Sequence, residues 1–252
     1  MVKMIVSDLD GTLLRNDKTI SDKTIETLKH CREANIKVVY ATGRGGSAER
    51  AAPARHFDGR IVMNGAVAHV GDSVVYNCLI PYKIARPLLI ACDRQGIKTA
   101  SEVSGMHYSN FATSDEWPNI TNYKITDFSK HDIDAEKLYM IVKNIDDQKF
   151  IEKNLPNGLY LTVSRDGLAQ VMHKDATKSK AIIALAHFWG IDQSEIVAFG
   201  DDLNDLDMLS HAGIGVAMGN AVDELKVIAD YICLSNEEDG VAEWIIKKEI
   251  LK

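Results

Sequence analysis

Short apolar runs that stop abruptly on small, acidic or hydroxyl residues constrain this chain more than any other feature. Lys3-Met4-Ile5-Val6-Ser7 runs straight into Asp8-Leu9-Asp10-Gly11-Thr12-Leu13-Leu14, and Lys37-Val38-Val39-Tyr40-Ala41 stops at Thr42-Gly43-Arg44. Far downstream, Ile196-Val197-Ala198-Phe199 stops at Gly200-Asp201-Asp202-Leu203-Asn204-Asp205. Runs this short and this apolar read as buried strands. Between them lie helical stretches: Ser21 caps one whose apolar face carries Ile25, Leu28 and Cys31, a second is expected over 47–56, and Arg60-Ile61-Val62-Met63 adds another strand. Alternating strands and helices predict right-handed βαβ units on a parallel sheet.

The alternation then breaks. A hairpin is expected over 67–77, turning at Gly71-Asp72-Ser73, and the segment from about Pro81 to Ala176 mixes a helix over 82–94 with strands near 97–100, 106–111 and 137–143. A helix over 147–155 and an antiparallel pair turning at Arg165-Asp166-Gly167 complete that segment, with a polar loop over 113–122. From Thr177 the strand and helix alternation resumes. The expected architecture is α/β, a doubly wound parallel sheet built from residues 1–80 and 177–252, interrupted by an α+β cap over residues 81–176.

Composition narrows the function classes. With 252 residues, 46% hydrophobic and 26% charged, the chain is an ordinary globular protein with a sizeable core. A formal net charge of -7 argues against nucleic acid, whose phosphates demand a basic surface. The four cysteines, Cys31, Cys78, Cys92 and Cys233, have no C-x-x-C spacing, so neither zinc nor a disulfide framework is indicated. No segment approaches the roughly 20 apolar residues that span a bilayer, so no membrane association and a cytoplasmic location are the expectation. Nothing signals an obligate protein partner.

The chemistry gathers at the strand ends, where parallel α/β sheets place their ligands. Asp8 and Asp10 are two carboxylates close enough in sequence to repel, which predicts a bound cation, a shared proton, or both. Asp201 adds an acid, Lys178 a point positive charge, and Thr42 a hydroxyl and an amide. A hard oxygen site on Asp8 and Asp201 suits Mg²⁺. Metal, lysine, hydroxyl and amide donors around a carboxylate make a phosphoryl-transfer site, with Asp8 as nucleophile and Asp10 as the acid and base.

Taken together, Asp8-Leu9-Asp10-Gly11-Thr12, Thr42-Gly43-Arg44, Lys178 and Gly200-Asp201-Asp202-Leu203-Asn204-Asp205 resemble the motifs of the haloacid dehalogenase superfamily, in its Cof-type sugar phosphatase branch with a type IIB cap. The resemblance covers essentially the whole chain, including Asn64-Gly65-Ala66, Gly219-Asn220-Ala221 and Asp239-Gly240-Val241. It implies a nucleophilic Asp8, an acid/base Asp10, and Mg²⁺ held by Asp8, the carbonyl of Asp10 and Asp201. It further implies phosphate contacts from the Thr42-Gly43 turn and Lys178, and an orienting or substrate-binding role for Asn204 and Asp205. The chain departs from the family at Lys178-Ser179-Lys180, where glycine usually follows the lysine; Lys178 aligns with the motif and Lys180 faces away on the helix.

His173 and His187 lack metal-site spacing. Trp117, Tyr108, Asn110 and Arg165 read as packing residues of the cap. Asn236-Glu237-Glu238-Asp239 reads as a helix entry favoured by the dipole, Asn220 as a turn residue, and Arg44 is open between a substrate contact and a local ion pair. The expected activity is a Mg²⁺-dependent phosphatase of small phosphorylated metabolites, foremost sugar phosphates. A phosphosugar mutase and a non-catalytic sugar-phosphate-binding protein are the alternatives.

Overall fold

The computed structural model describes every residue except Arg165, Glu249, Leu251 and Lys252. The expected turn residue Arg165 therefore lies outside the described residues. The chain divides into two compact units, Met1–Asn77 with Thr177–Lys252, and Cys78–Ala176.

In the first unit, β1 (Met4–Ser7), α1 (Asp22–Glu33), β2 (Lys37–Ala41), α2 (Ala48–Ala51), β3 (Gly59–Val62), β4 (Val67–Val70) and β5 (Ser73–Asn77) follow in order. The second unit contains α3 (Tyr82–Arg94), β6 (Lys98–Val103), β7 (Met106–Ser109), β8 (Tyr123–Ile125), β9 (Lys137–Ile141), α4 (Ile145–Asn154), β10 (Leu159–Val163) and β11 (Leu168–His173). The chain then returns to the first unit through α5 (Lys178–Trp189), β12 (Ile196–Gly200), α6 (Leu206–His211), β13 (Ile214–Ala217), α7 (Asp223–Ile228), β14 (Tyr231–Ile232) and α8 (Gly240–Lys247).

The first unit is an eight-stranded sheet in the order β14-β13-β12-β1-β2-β3-β4-β5, parallel from β14 to β3 and antiparallel across the β4–β5 hairpin. Successive strands step outward from β1 through β2 to β3, then resume on its other side with β12, so chain order reverses beside β1. Such a switch point opens a crevice at the carboxyl ends of the flanking strands. All four residues of β1 and all five of β12 are buried, as two-sided cover requires. The core beneath them joins Ile5, Leu9, Leu28, Val39, Leu185, Phe199 and Trp244.

The second unit is a six-stranded sheet in the order β10-β11-β9-β6-β7-β8, with its own core of Leu88, Leu89, Leu138, Met140, Ile151 and Val171. Trp117 packs edge-on against Tyr139, and Tyr108 lies against His131. The Asn110 amide bonds Thr99 N–H, Asp93 and the Ile97 carbonyl, which is packing work in the second unit. His173 meets Cys78 Sγ at 3.4 Å, and His187 lines an apolar groove with Phe188 in the first unit.

Two elements differ from expectation. The helix expected over 47–56 is broken into Ala48–Ala51 and a single tight turn, Ala54–His56, because Pro53 removes a donor and blocks the preceding turn. β8 carries no sequence signal of a strand: three residues, two of them exposed, show too little alternation to stand out. No helix among the described residues is long and apolar enough to cross a membrane.

Candidate active site

Ser7 is registered against both Phe199 and Tyr40, so the ends of β12, β1 and β2 lie level. Asp8, Thr42 and Asp201 thus leave one edge of the sheet at the switch point. The Asp8 N–H donates to the Phe199 carbonyl at 2.9 Å, which holds the turn onto the sheet. Gly11 has φ +81° and lies so close to Asp201 that a Cβ there would sit 2.2 Å from Oδ2. Only glycine satisfies both demands. Beside it the Thr12 hydroxyl donates to Asp201 Oδ1 at 2.7 Å.

Lys178 is the first residue of α5, whose cap is the Thr177 side chain on Lys180 N–H. The Lys178 side chain is 1% exposed and donates to Asp8 Oδ1 at 2.5 Å and to Asp205 Oδ1 at 2.6 Å. Lys180, on the next position but one, is exposed. Asp205 is fully buried, and its Oδ2 accepts the N–H groups of Asp201 at 3.0 Å and Asp202 at 3.3 Å. Asp205 therefore orients two neighbours, Lys178 through one oxygen and the Asp201 backbone through the other.

This side of the site is short of positive charge. Asp8, Asp201 and Asp205 each bring an oxygen within 4.8 Å of the others, against the Lys178 ammonium. Burial pushes the Asp8 carboxyl up to about 7, with Asp205 and Asp201 adding to the rise and Lys178 opposing it. Burial likewise raises Asp201 to about 6, helped by the Asp205 and Asp202 charges. Burial works to lower the Lys178 ammonium, but the Asp8 and Asp205 charges outweigh it and hold the pKa above its usual value. Crowded carboxylate oxygens with unbalanced negative charge fit a hard divalent cation. Asp8 Oδ2 and Asp201 Oδ2 stand outside the hydrogen bonds just described, whereas both Asp205 oxygens are engaged.

Asp10 is sorted into a different cluster. Its side chain is 38% exposed and accepts Arg44 Nε on Oδ2 at 2.6 Å, Arg44 Nη2 on Oδ1 at 2.7 Å, and Lys18 Nζ on Oδ1 at 3.0 Å. The bidentate Arg44 guanidinium, with Lys18 helping, holds the Asp10 carboxyl below its usual range. Arg44, open in the sequence between two readings, here makes the ion pair.

Thr42 is buried, and its hydroxyl accepts the Arg44 N–H at 3.1 Å, leaving its own proton to donate. Gly43 packs against Asn64, whose Oδ1 accepts Asn204 Nδ2 at 3.2 Å. Asn204 is exposed and bonds Asn64 rather than the carboxylate cluster.

Several supporting residues escaped the sequence reading. Asn220 donates to the Gly11 carbonyl at 2.8 Å and accepts the Asn236 N–H at 2.9 Å, while Asn236 donates to the Leu14 carbonyl at 3.0 Å. Asp239 pairs through both oxygens with Arg15, and Glu237 accepts the Asn16 N–H. The acidic run is thus more than a helix entry: it and Asn220 brace the segment after Asp8. Their sequence signals are the turn-forming Gly219-Asn220 and Asp239-Gly240 dipeptides, which lie in segments that share the family resemblance but say nothing of these pairings.

The chain is similar to known proteins along nearly its whole length. A family model described as haloacid dehalogenase-like hydrolase matches residues 5–245. A Haemophilus influenzae protein provisionally named a phosphatase is 30% identical, with 96% of each chain covered. The Bacillus subtilis 5-amino-6-(5-phospho-D-ribitylamino)uracil phosphatase YitU is 28% identical over 96% of each chain. Among solved structures, the HAD subclass IIB sugar phosphatase BT4131 superposes with TM-score 0.80 at 26% identity, covering 99% of this chain and 100% of that one. The Bacteroides thetaiotaomicron phosphatase BT1666 gives 0.82 at 28% identity, covering 100% and 96%.

Proposed function

The chain belongs to the haloacid dehalogenase-like hydrolases, and from that premise we propose that it is a Mg²⁺-dependent phosphatase of small phosphorylated metabolites, foremost sugar phosphates, working through Asp8. The observation that carries this reading is the buried Lys178 bridge between Asp8 and Asp205, with Asp201 alongside. It holds a carboxylate oxygen in place, shields it from bulk water and favours its charged form against the rise that burial causes, as a nucleophile requires. The substrate class rests on likeness to a sugar phosphatase and to a phosphatase acting on a phosphorylated ribityl chain. We read Cys78–Ala176 as the cap that selects the leaving group.

In this mechanism Asp8 attacks phosphorus, the P–O bond to the alcohol breaks, and Asp10 gives a proton to the departing oxygen. Water then attacks the aspartyl phosphate, losing its proton to Asp10, and the bond from phosphorus to Asp8 breaks. Lys178, the Thr42 hydroxyl, the Gly43 amide and the Asn204 side chain donate to the phosphoryl oxygens. Asp8, the Asp10 carbonyl and Asp201 would hold Mg²⁺, which supplies positive charge to the phosphoryl oxygens when bound. Asp205 stands behind them, fixing Lys178. Arg44 and Lys18 keep Asp10 ionised, the form the second half needs; the first half requires that this pairing loosen while Asp10 carries a proton.

A panel of phosphate monoesters, assayed for released phosphate with Mg²⁺ and with a chelator, tests the reading. Sugar and polyol phosphates are expected to be cleaved with Mg²⁺ and spared with the chelator. Release from no ester, or undiminished release with the chelator, would overturn it.

A further inference from the structure

Met63 and Asn64, the two residues that follow β3, both have left-handed backbones, φ +51° and +50°, although neither is glycine. Asparagine tolerates this conformation better than most residues, and methionine does not. Two such residues in succession persist only where their surroundings hold them. Here the Met63 N–H donates to the Arg44 carbonyl at 3.0 Å and the Asn64 N–H to the Thr42 carbonyl at 2.9 Å. Gly65 follows at φ +101°, pressed against the entry to α5: a Cβ there would sit 2.1 Å from the Thr177 carbonyl oxygen and 2.8 Å from Lys178 N. The Asn64 side chain reaches a third segment, accepting Asn204 Nδ2 at 3.2 Å while filling the space beside Gly43, where a Cβ would meet it at 2.9 Å.

Three consecutive residues therefore touch the Thr42–Arg44 turn, the start of the Lys178 helix and the Asn204 loop. Those segments carry every side-chain donor that the phosphatase reading assigns to the phosphoryl group. A turn that only reversed the chain would gain nothing from an amide at its strained position, since glycine adopts that backbone freely.

We propose that Asn64 is a positioning residue: from a turn whose backbone bonds tie it to the Thr42 turn, its side chain orients the Asn204 amide toward the phosphoryl group of the substrate. This inference rests on the phosphatase reading. It assigns Asn64 no contact with substrate, so its effect passes through Asn204, and the two residues act as one unit.

The test is a double-mutant cycle: wild type, Asn64→Gly, Asn204→Ala and the double variant, assayed with Mg²⁺ on p-nitrophenyl phosphate and on a hexose 6-phosphate, with thermal unfolding of each. Asn64→Gly relieves the left-handed strain, so its melting temperature is expected to equal or exceed that of wild type. Its kcat/KM is expected to fall about tenfold, as for loss of a supporting hydrogen bond behind a site residue. The double variant is expected to be no worse than the weaker single variant, because both changes break the same unit. Asn64→Asp keeps the side-chain shape, the backbone tolerance and the acceptor for Asn204. It is expected to keep activity within about threefold of wild type, and it carries the test should Asn64→Gly not fold. Losses that multiply independently, activity of Asn64→Gly within about twofold of wild type, or an Asn64→Asp loss of about tenfold would each overturn the inference. A wild type that cleaves no ester would overturn the phosphatase reading and this inference together, whereas an active wild type with independent losses overturns this inference alone.

Discussion

Asp8 and Asp10 leave the same strand two residues apart and end in opposite surroundings. Asp8 is buried, bonded to an equally buried Lys178 that is shared with Asp205, and its carboxyl is pushed up to about 7. Asp10 is more than a third exposed, bound by two basic side chains that themselves reach solvent, and is held ionised. The difference shows how one turn can build two opposite environments. Burial makes the Asp8 side costly and stiff, since each charge there depends on the others. Exposure makes the Asp10 side adjustable, since water can replace either partner at little cost. A nucleophile benefits from the first environment, and a group that must gain and lose a proton from the second.

Removing Lys178 strikes the comparison hardest. Lys178→Met leaves Asp8 and Asp205 buried without their cation, so metal-free unfolding in urea at pH 7.5 is expected to show a loss of about 3–5 kcal/mol. The loss should narrow at pH 5, where Asp8 takes up a proton; an unchanged stability at pH 7.5 would mean the bridge is not a dependent unit. Asp10→Ala probes the other side. Hydrolysis is expected to drop about 10²–10⁴-fold with stability held within about 1 kcal/mol, and a loss of folding comparable to that of Lys178→Met would erase the contrast.

Titration sharpens the contrast without mutation. Asp8 rises from 3.8 to about 7 and Asp201 from 3.8 to about 6 in the folded protein, so the folded state binds these protons more tightly than the unfolded chain. Their contribution to stability is complete below about pH 4 and is lost as the pH rises through 6 and 7. Mg²⁺ binds the ionised carboxylates, so the rise in melting temperature on adding it should be larger at pH 7.5 than at pH 5. Equal rises at both pH values would show that these carboxylates do not hold the ion. The smallest effect belongs to Lys18→Ala, at half-exposed Lys18: about 1 kcal/mol or less in stability, with hydrolysis retained within about tenfold because Arg44 still grips Asp10 at two atoms.

The parts of the molecule legible in the sequence are those whose signal is local. β1, β2 and β12 are unbroken apolar runs, and each stops on a polar turn that the parallel register then brings level. Lys178 was separable from Lys180 because Lys178 aligns with the motif of the family that the chain resembles, while the helix turns Lys180 to another face. Pro53, by contrast, ended a helix that the surrounding composition favoured, and β8 was too short and too exposed to carry a period. Within the site, what escaped was pairing across distance. Arg44 reaches back to Asp10, Asn220 to Gly11, Asp239 to Arg15, and Asn64 to Asn204. None of these has a spacing rule, because each is set by which strand ends become neighbours, a property of the assembled sheet.

In the proposed mechanism Asp8, and not Asp10, takes the phosphoryl group. Borohydride added during turnover of a cleaved ester with Mg²⁺ reduces an acyl phosphate to an alcohol, and peptide sequencing by mass spectrometry then locates the reduced residue. Reduction at position 8, absent without substrate, is the predicted result. Reduction at position 10, or steady turnover with no reduced residue, would contradict the account.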